Sequence, residues 1–147
     1  MTIFEALRED HGVQRDLLEQ LMQTSGDSNE RERLYRRLRG ELRHHAAAEE
    51  RALYIPMMEI DLTQEKARHS VAEHHEIDEQ IEALDAIDLA SPAWLTHARK
   101  LSDLVIHHLD EEEHEVFQLA GRGLEEDQKA ELAEAYRREM ARQRRDA

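Results

Sequence analysis

His44-His45-Ala46-Ala47-Ala48-Glu49-Glu50 returns later in the chain as His107-His108-Leu109-Asp110-Glu111-Glu112-Glu113. Each copy is followed, at the same spacing, by an apolar and an aromatic residue: Leu53-Tyr54, then Val116-Phe117. A single offset of 63 residues takes His11 to His74, His45 to His108 and Glu49 to Glu112. It also takes Leu18 to Ile81, Leu21 to Leu84, Leu38 to Leu101 and Leu42 to Val105, so apolar stripes and polar groups repeat together. Such a chain reads as two helical hairpins of one pattern.

Composition agrees with that reading. The 147 residues suit one domain with one core, and 39% hydrophobic with 37% charged residues suits helices with solvated outer faces. Five glycines and two prolines are too few for an all-β fold. No cysteine is present, which excludes disulfides, thiolate metal sites and thiol catalysis, so any transition metal must be held by nitrogen and oxygen. The N-terminus, MTIFEALRED, has no long apolar run; neither a secretion signal nor a membrane span is expected, and the expected location is cytoplasmic. A formal net charge of −14 argues against nucleic acid as a partner. The arginines between Arg31 and Arg43, and those from Arg137 to Arg145, alternate with glutamates and read as solvated helix faces.

Along the chain, Thr2 and Glu5 form a capping-box signature for a first helix, which carries Phe4, Leu7, His11, Leu18 and Leu21 on one stripe and stops near Gly26. Asp27 with Glu30 reads as the next cap. Leu34, Leu38, Leu42, His45, Glu49 and Leu53 share the second stripe, which is expected to end before Pro56. A third helix runs from Thr63 to about Asp88 through His74, and a fourth from Ser91-Pro92 to Gly121-Arg122-Gly123 through His108 and Glu112. The remainder, residues 121–147, carries Leu132, Tyr136 and Met140 on one edge. It is expected to form a fifth, charged helix with no candidate ligand, packing on the bundle or on a protein partner, a second copy included.

The offset selects the candidate ligands. One residue of helix turns a side chain by roughly 100°, so His44, His75 and His107 face away from the stripe that holds their neighbours. His45 and Glu49, four apart, share one face, as do His108 and Glu112. With His11 and His74 they place four imidazoles and two carboxylates in one interior. Without a cation, the buried carboxylates would carry a heavy desolvation cost. Imidazole and carboxylate without sulfur suits iron, manganese or zinc, and two carboxylates with two histidines per side favour a dinuclear centre.

The pattern His11, His45-x-x-x-Glu49, His74, His108-x-x-x-Glu112 resembles the hemerythrin-like, or HHE cation-binding, family over about residues 1–120. The resemblance implies an all-α, antiparallel up-down-up-down four-helix bundle holding a non-haem pair of iron ions, with Glu49 and Glu112 as bridges and an oxo or hydroxo group between the irons. The rival ferritin-like pattern is met by Glu41-x-x-His44 and Glu111-x-x-His114, but these are not offset equivalents. Oxygen carriers similar to this chain have a fifth histidine one turn after the third-helix ligand. Here that position is Asp78, whose offset partner is Arg15. With four histidines, each metal is expected to keep an exchangeable position. The leading expectation is therefore turnover of a small oxidant, either catalase-like decomposition of hydrogen peroxide or a peroxidase acting on nitric oxide. Reversible binding or sensing of O2 or nitric oxide, iron storage, and an iron-free structural bundle are the alternatives.

Two further positions bear on the site. Tyr54 is a core aromatic equivalent to Phe117 if ideal helical angles hold. If Pro56 distorts the helix, its phenol swings inward as a ligand or hydrogen-bond donor and the one catalytic candidate beyond the metal ligands. Asp78 reads as a partner of Arg15 or as an acceptor that orients a ligand histidine, with ligation as the alternative.

Overall fold

Thr2 and Glu5 close a complete capping box, and α1 (Ile3–Met22) follows directly from it. A computed structural model describes residues 1–146; Ala147, the end of the segment 121–147, lies outside the described residues. After a turn in which Gly26 supplies a positive φ of 62°, the second cap is Ser28, whose side chain accepts from the Arg31 N–H; Asp27, the expected cap, is one residue too early. α2 (Asn29–Glu49) then continues through a π-helical turn (Glu50–Tyr54) into a last α-helical turn (Ile55–Met58). α3 is Gln64–Asp85. α4 (Pro92–Glu111) passes through its own π-helical turn (Glu112–Val116) into Phe117–Gly123. α5 is Glu126–Asp146, and no strand occurs among the described residues.

The helix does not end before Pro56, contrary to the sequence expectation. In a regular ladder the proline ring would meet the carbonyl of Ala52 and leave it without a donor. Here the Ile55 N–H bonds to the Glu50 carbonyl, five residues back, so the ladder has already changed register when the proline enters it. The two π turns begin at or beside Glu49 and Glu112, and thus recur in both hairpins.

The four long helices form a bundle whose apolar core is split into two lobes. One gathers Ile3, Leu7, Leu53, Met57, Phe117 and the inner face of α5; the other gathers Leu18, Leu38, Ile81, Trp94 and Leu101. His11, His45, Glu49, His74, His108 and Glu112 fill the layer between the lobes, and all six are buried. α5 lies across α1 and α2 and buries Ala133, Tyr136 and Met140, a stripe at helical spacing. Its apolar edge thus packs on the bundle.

One arginine of the supposedly solvated basic face is buried instead. Arg31 donates to Thr24 Oγ1 (2.9 Å), the Thr24 carbonyl (2.8 Å) and the Leu89 carbonyl (2.8 Å), with its guanidinium over the Trp94 ring. It ties the α1–α2 and α3–α4 turns together at the end of the bundle farthest from α5.

Candidate metal centre

The six residues selected by the offset form two buried groups: His11, His45, Glu49 and Glu112, and His74, His108, Glu49 and Glu112. Within each group the ligand atoms lie within 4.8 Å of one another, and both carboxylates belong to both groups. Glu49 Oε1 stands 3.5 Å from His45 Nε2 and 3.2 Å from His74 Nε2. Glu112 reaches His11 Nε2 with Oε1 (3.1 Å) and His108 Nε2 with Oε2 (3.6 Å). Donors about 2.1 Å from a shared first-row cation stand at such separations.

Other atoms of the cluster make the case for a cation stronger. His11 Nε2, His45 Nε2, His108 Nε2, Glu49 Oε2 and Glu112 Oε1 are buried without any hydrogen-bond partner. Buried polar atoms are nearly always satisfied, and unsatisfied carboxylate or imidazole atoms each cost on the order of 1–3 kcal/mol. A donor set of four imidazoles and two carboxylates, with its free atoms converging, fits a pair of transition-metal ions.

Outward, each imidazole gives its Nδ1–H to a second residue, which leaves the Nε2 lone pair directed into the cluster. His11 donates to Glu113 Oε2 (2.7 Å), His74 to Glu50 Oε1 (3.3 Å) and His108 to Glu73 Oε1 (3.0 Å). Glu50 and Glu113 are offset partners, and each holds the histidine of the other hairpin. The fourth case differs. His45 donates to the Tyr136 hydroxyl (2.7 Å), which in turn donates to Asp10 Oδ2 (2.5 Å). Asp10 is the offset equivalent of Glu73, one methylene shorter, and the phenol from α5 fills the difference. Sequence reasoning missed Glu50, Glu73, Glu113, Asp10 and Tyr136, although the repeated second glutamate of each Glu-Glu pair was a usable signal for two of them.

Electrostatics follow from this packing. Burial pushes the His11 imidazole down, but the adjacent carboxylates of Glu112 and Glu113 outweigh that and leave it up at about 9. His74 reaches about 10 for the same reason, with Glu49 and Glu50 as partners against burial. Burial and the charge of Glu49 push Glu112 up, whereas Glu113, held by His11 and then Arg15, falls to about 2. The protein groups alone therefore balance the two shared carboxylates with protons, which a bound cation would displace.

Tyr54 is fully buried, and its hydroxyl lies between the shared carboxylates, 2.9 Å from Glu49 Oε1 and against Glu112 Oε2. The π turn explains why ideal helical angles mislead here: Tyr54 stands five residues after Glu49, the interval that a π turn returns to the same face. Its offset partner Phe117 stacks on His11 (centroids 5.8 Å apart), as Tyr54 lies against His74 (5.4 Å). Only the hydroxyl distinguishes the two.

Asp78 is not joined to Arg15. It pairs with Arg43 Nε (3.0 Å), while Arg15 pairs with Asp110 (3.0 Å) and Glu113 (2.9 Å). Nor does Asp78 touch a ligand histidine through a hydrogen bond among the described residues. It lines, with Arg43, Gln14, Leu42, Ile77 and Ile81, a cavity of about 40 Å³ whose inner wall is His45, His74 and His108. Gln14 is buried there, and its amide nitrogen has no partner. The ferritin-like alternative fails: Glu41 is paired with Arg144 (3.1 Å), and His114 is exposed with its Nδ1 on the Asp110 carbonyl. Of the remaining histidines, His75 and His107 are exposed and His44 is partly so.

Comparison with known proteins places these features in a family. The family model described as the hemerythrin HHE cation binding domain matches residues 2–120. A crystal structure of a hemerythrin HHE cation-binding domain-containing protein from Mycobacterium kansasii superposes with a TM-score of 0.89 at 23% identity, over 99% of this chain and 89% of that one. In sequence, a DNA nickase from a Nostoc species is 26% identical over 137 residues, which are 93% of this chain and 38% of that protein. The chain thus spans well under half the length of that relative. No helix among the described residues is long and apolar enough to cross a membrane.

Proposed function

This chain belongs to the hemerythrin HHE cation-binding domain family, and from that premise we propose that His11, His45, Glu49, His74, His108 and Glu112 hold two iron ions and that the protein turns over a small oxidant beside them. In either case the oxidant is hydrogen peroxide: it is decomposed to O2 and water in a catalase-like reaction, or reduced to water while nitric oxide is oxidised in a peroxidase reaction. The observation that carries this reading is the pair of buried groups sharing Glu49 and Glu112, with unpartnered atoms converging next to a small cavity. Iron bound there would supply the change of oxidation state that such a reaction requires.

The chain's own residues do the rest. A cavity of about 40 Å³ has room for roughly two or three water-sized molecules, so it admits peroxide, O2 or nitric oxide and excludes organic substrates. The free amide nitrogen of Gln14 is the cavity's available donor for orienting such a molecule. Arg43 and Asp78, paired and partly exposed, stand at its outer wall and limit water entry. Tyr54 holds its proton between the two shared carboxylates: burial, then the charges of Glu112 and Glu49, push the phenol well above its ordinary range. We include it as a candidate seventh ligand.

Purified iron-loaded protein is expected to release O2 from peroxide, or to consume nitric oxide when peroxide is present, read with the matching electrode. Gln14→Leu is expected to lower turnover while iron content stays unchanged. If the loaded protein does neither reaction, the enzymatic reading is refuted. One observation favours sensing as the second reading: Tyr136 connects His45 directly to α5, which gives any change at that imidazole a route to the outer helix. Tight, reversible O2 or nitric oxide binding with negligible turnover would select it.

A further inference from the structure

Outside the bundle's interior, a second group of ligand-type side chains converges between α3 and α4. His69-x-x-x-Glu73 on α3 faces His107-x-x-x-Glu111 on α4, so two His-x-x-x-Glu pairs meet across one helix interface. His69 Nε2 lies 2.9 Å from Glu111 Oε1 and 3.7 Å from Glu73 Oε2, and His107 Nε2 lies 3.2 Å from Glu111 Oε2. One ligand atom from each of His69, Glu73 and Glu111 falls within 4.8 Å of the other two.

The partners of these carboxylates are themselves ligand-type side chains. Several other surface carboxylates pair with arginine or lysine, as Asp78 does with Arg43, Glu41 with Arg144 and Glu115 with Lys66. Among the described residues, the ion pairs of Glu73 and Glu111 run only to histidines: His69, His107 and His108. Imidazole is the one side chain of that set that also serves as a transition-metal ligand when neutral. A net charge of −14 raises the local concentration of cations around the chain.

The cluster is not a by-product of the repeat. The 63-residue offset carries its members back to Ala6, Asp10, His44 and Ala48. Ala6 and Ala48 are buried in the lobe that contains the inner face of α5, whereas His69 and His107 keep 52% and 69% of their side-chain surface exposed. α5 therefore covers one hairpin where the other stays open and polar.

We infer that His69, Glu73 and Glu111, with His107 at the rim, form a solvent-open binding site for a divalent first-row transition cation, separate from the buried groups. The donor set, nitrogen and carboxylate oxygen with open positions left to water, suits Zn²⁺, Mn²⁺ or Fe²⁺. Glu73 is the link between the two sites: its Oε2 faces His69 while its Oε1 accepts from His108 Nδ1. A cation outside thus shares a carboxylate with an inner imidazole.

The test is a calorimetric Zn²⁺ titration of the protein with its purified metal content, side by side with His69→Ala, Glu111→Gln and His44→Ala. Wild type and His44→Ala are expected to show the outer binding event, and His69→Ala and Glu111→Gln each to lose one bound Zn²⁺ per chain. Both lost-site variants should keep the iron content of wild type, since His69 and Glu111 lie outside the buried groups. Equal Zn²⁺ stoichiometry in wild type and in His69→Ala would overturn the inference, as would the absence of any outer event in wild type. The comparison rests on a difference between variants, so it stands whether or not the interior proves to hold iron.

Discussion

Tyr136→Phe isolates the contribution of α5 to the interior. The ring is 1% exposed and packs in the apolar lobe, so phenylalanine keeps the packing and removes only the hydroxyl. That hydroxyl accepts from His45 Nδ1 and donates to Asp10 Oδ2; its loss leaves the buried His45 Nδ1–H facing an apolar ring edge, whereas Asp10, half-buried, keeps Arg144 beside it. An unsatisfied buried group costs roughly 1–3 kcal/mol, and 1 kcal/mol moves Tm by about 2–4 °C in a chain of this size; Tm should fall by roughly 2–12 °C. Loss of an outer partner of a ligand histidine typically weakens metal binding by about 10–100-fold, about 1.4–2.7 kcal/mol. Calorimetry reads the first effect and competition with a coloured chelator the second. The double variant Asp10→Glu with Tyr136→Phe supplies the check on mechanism. If Tyr136 merely spans the methylene by which Asp10 is shorter than Glu73, the longer carboxylate should reach His45 directly, as Glu73 reaches His108, and recover most of the lost affinity. A Tyr136→Phe protein that melts and holds iron like wild type refutes the reasoning, and failure of the double variant to recover refutes the symmetry argument behind it.

Two other substitutions test the ligand set. Glu49→Ala removes an atom set common to both buried groups and should abolish most iron binding, whereas His44→Ala, one residue from a ligand but facing away, should leave iron content unchanged; equal iron in both variants by elemental analysis would reject the register. Tyr54→Phe keeps the ring against His74 and removes the hydroxyl between the carboxylates. If the phenol binds ferric iron, a visible charge-transfer band disappears in the variant, and an unchanged spectrum denies it that role.

What is legible in the sequence follows from periodicity. A side chain's place on a helix is fixed by its position modulo 3.6 residues, so one offset pairs His45 with His108 and Glu49 with Glu112 from the residue order alone. That inference fails where the period changes. Ideal α geometry sets Tyr54 on the wrong face, because the helix is π through Glu50–Tyr54. It also fails for contacts between elements. Asp78 and Arg15 are offset equivalents, but equivalents in a repeated hairpin are related by a rotation and touch only near its axis. Their actual partners, Arg43 and Glu113, come from neighbouring helices at unrelated sequence positions. Tyr136 is illegible for a third reason: α5 has no counterpart in the repeat, so no offset points to it.

The departures from the repeat matter more than the repeat itself for what the two halves of the centre can do. The His74–His108 half has Tyr54 against it, and His108 donates to an ionised carboxylate, Glu73, which burial raises but His108 then holds below the ordinary range. In the His11–His45 half the corresponding ring is Phe117, without a hydroxyl, and His45 donates to a neutral phenol. A carboxylate acceptor at Nδ1 makes the opposite Nε2 a stronger electron donor than a phenol acceptor does. His11 and His74, which both donate to glutamates, do not cancel the difference between His45 and His108. The two positions are therefore chemically unequal although their six inner residues are related by one offset. The cavity lies along the unequal boundary, with His74 and His108 from one half and His45 from the other in its wall. A small molecule entering there meets one imidazole tuned through Tyr136 and α5 and another tuned by Glu73, the carboxylate that also faces the outer cluster.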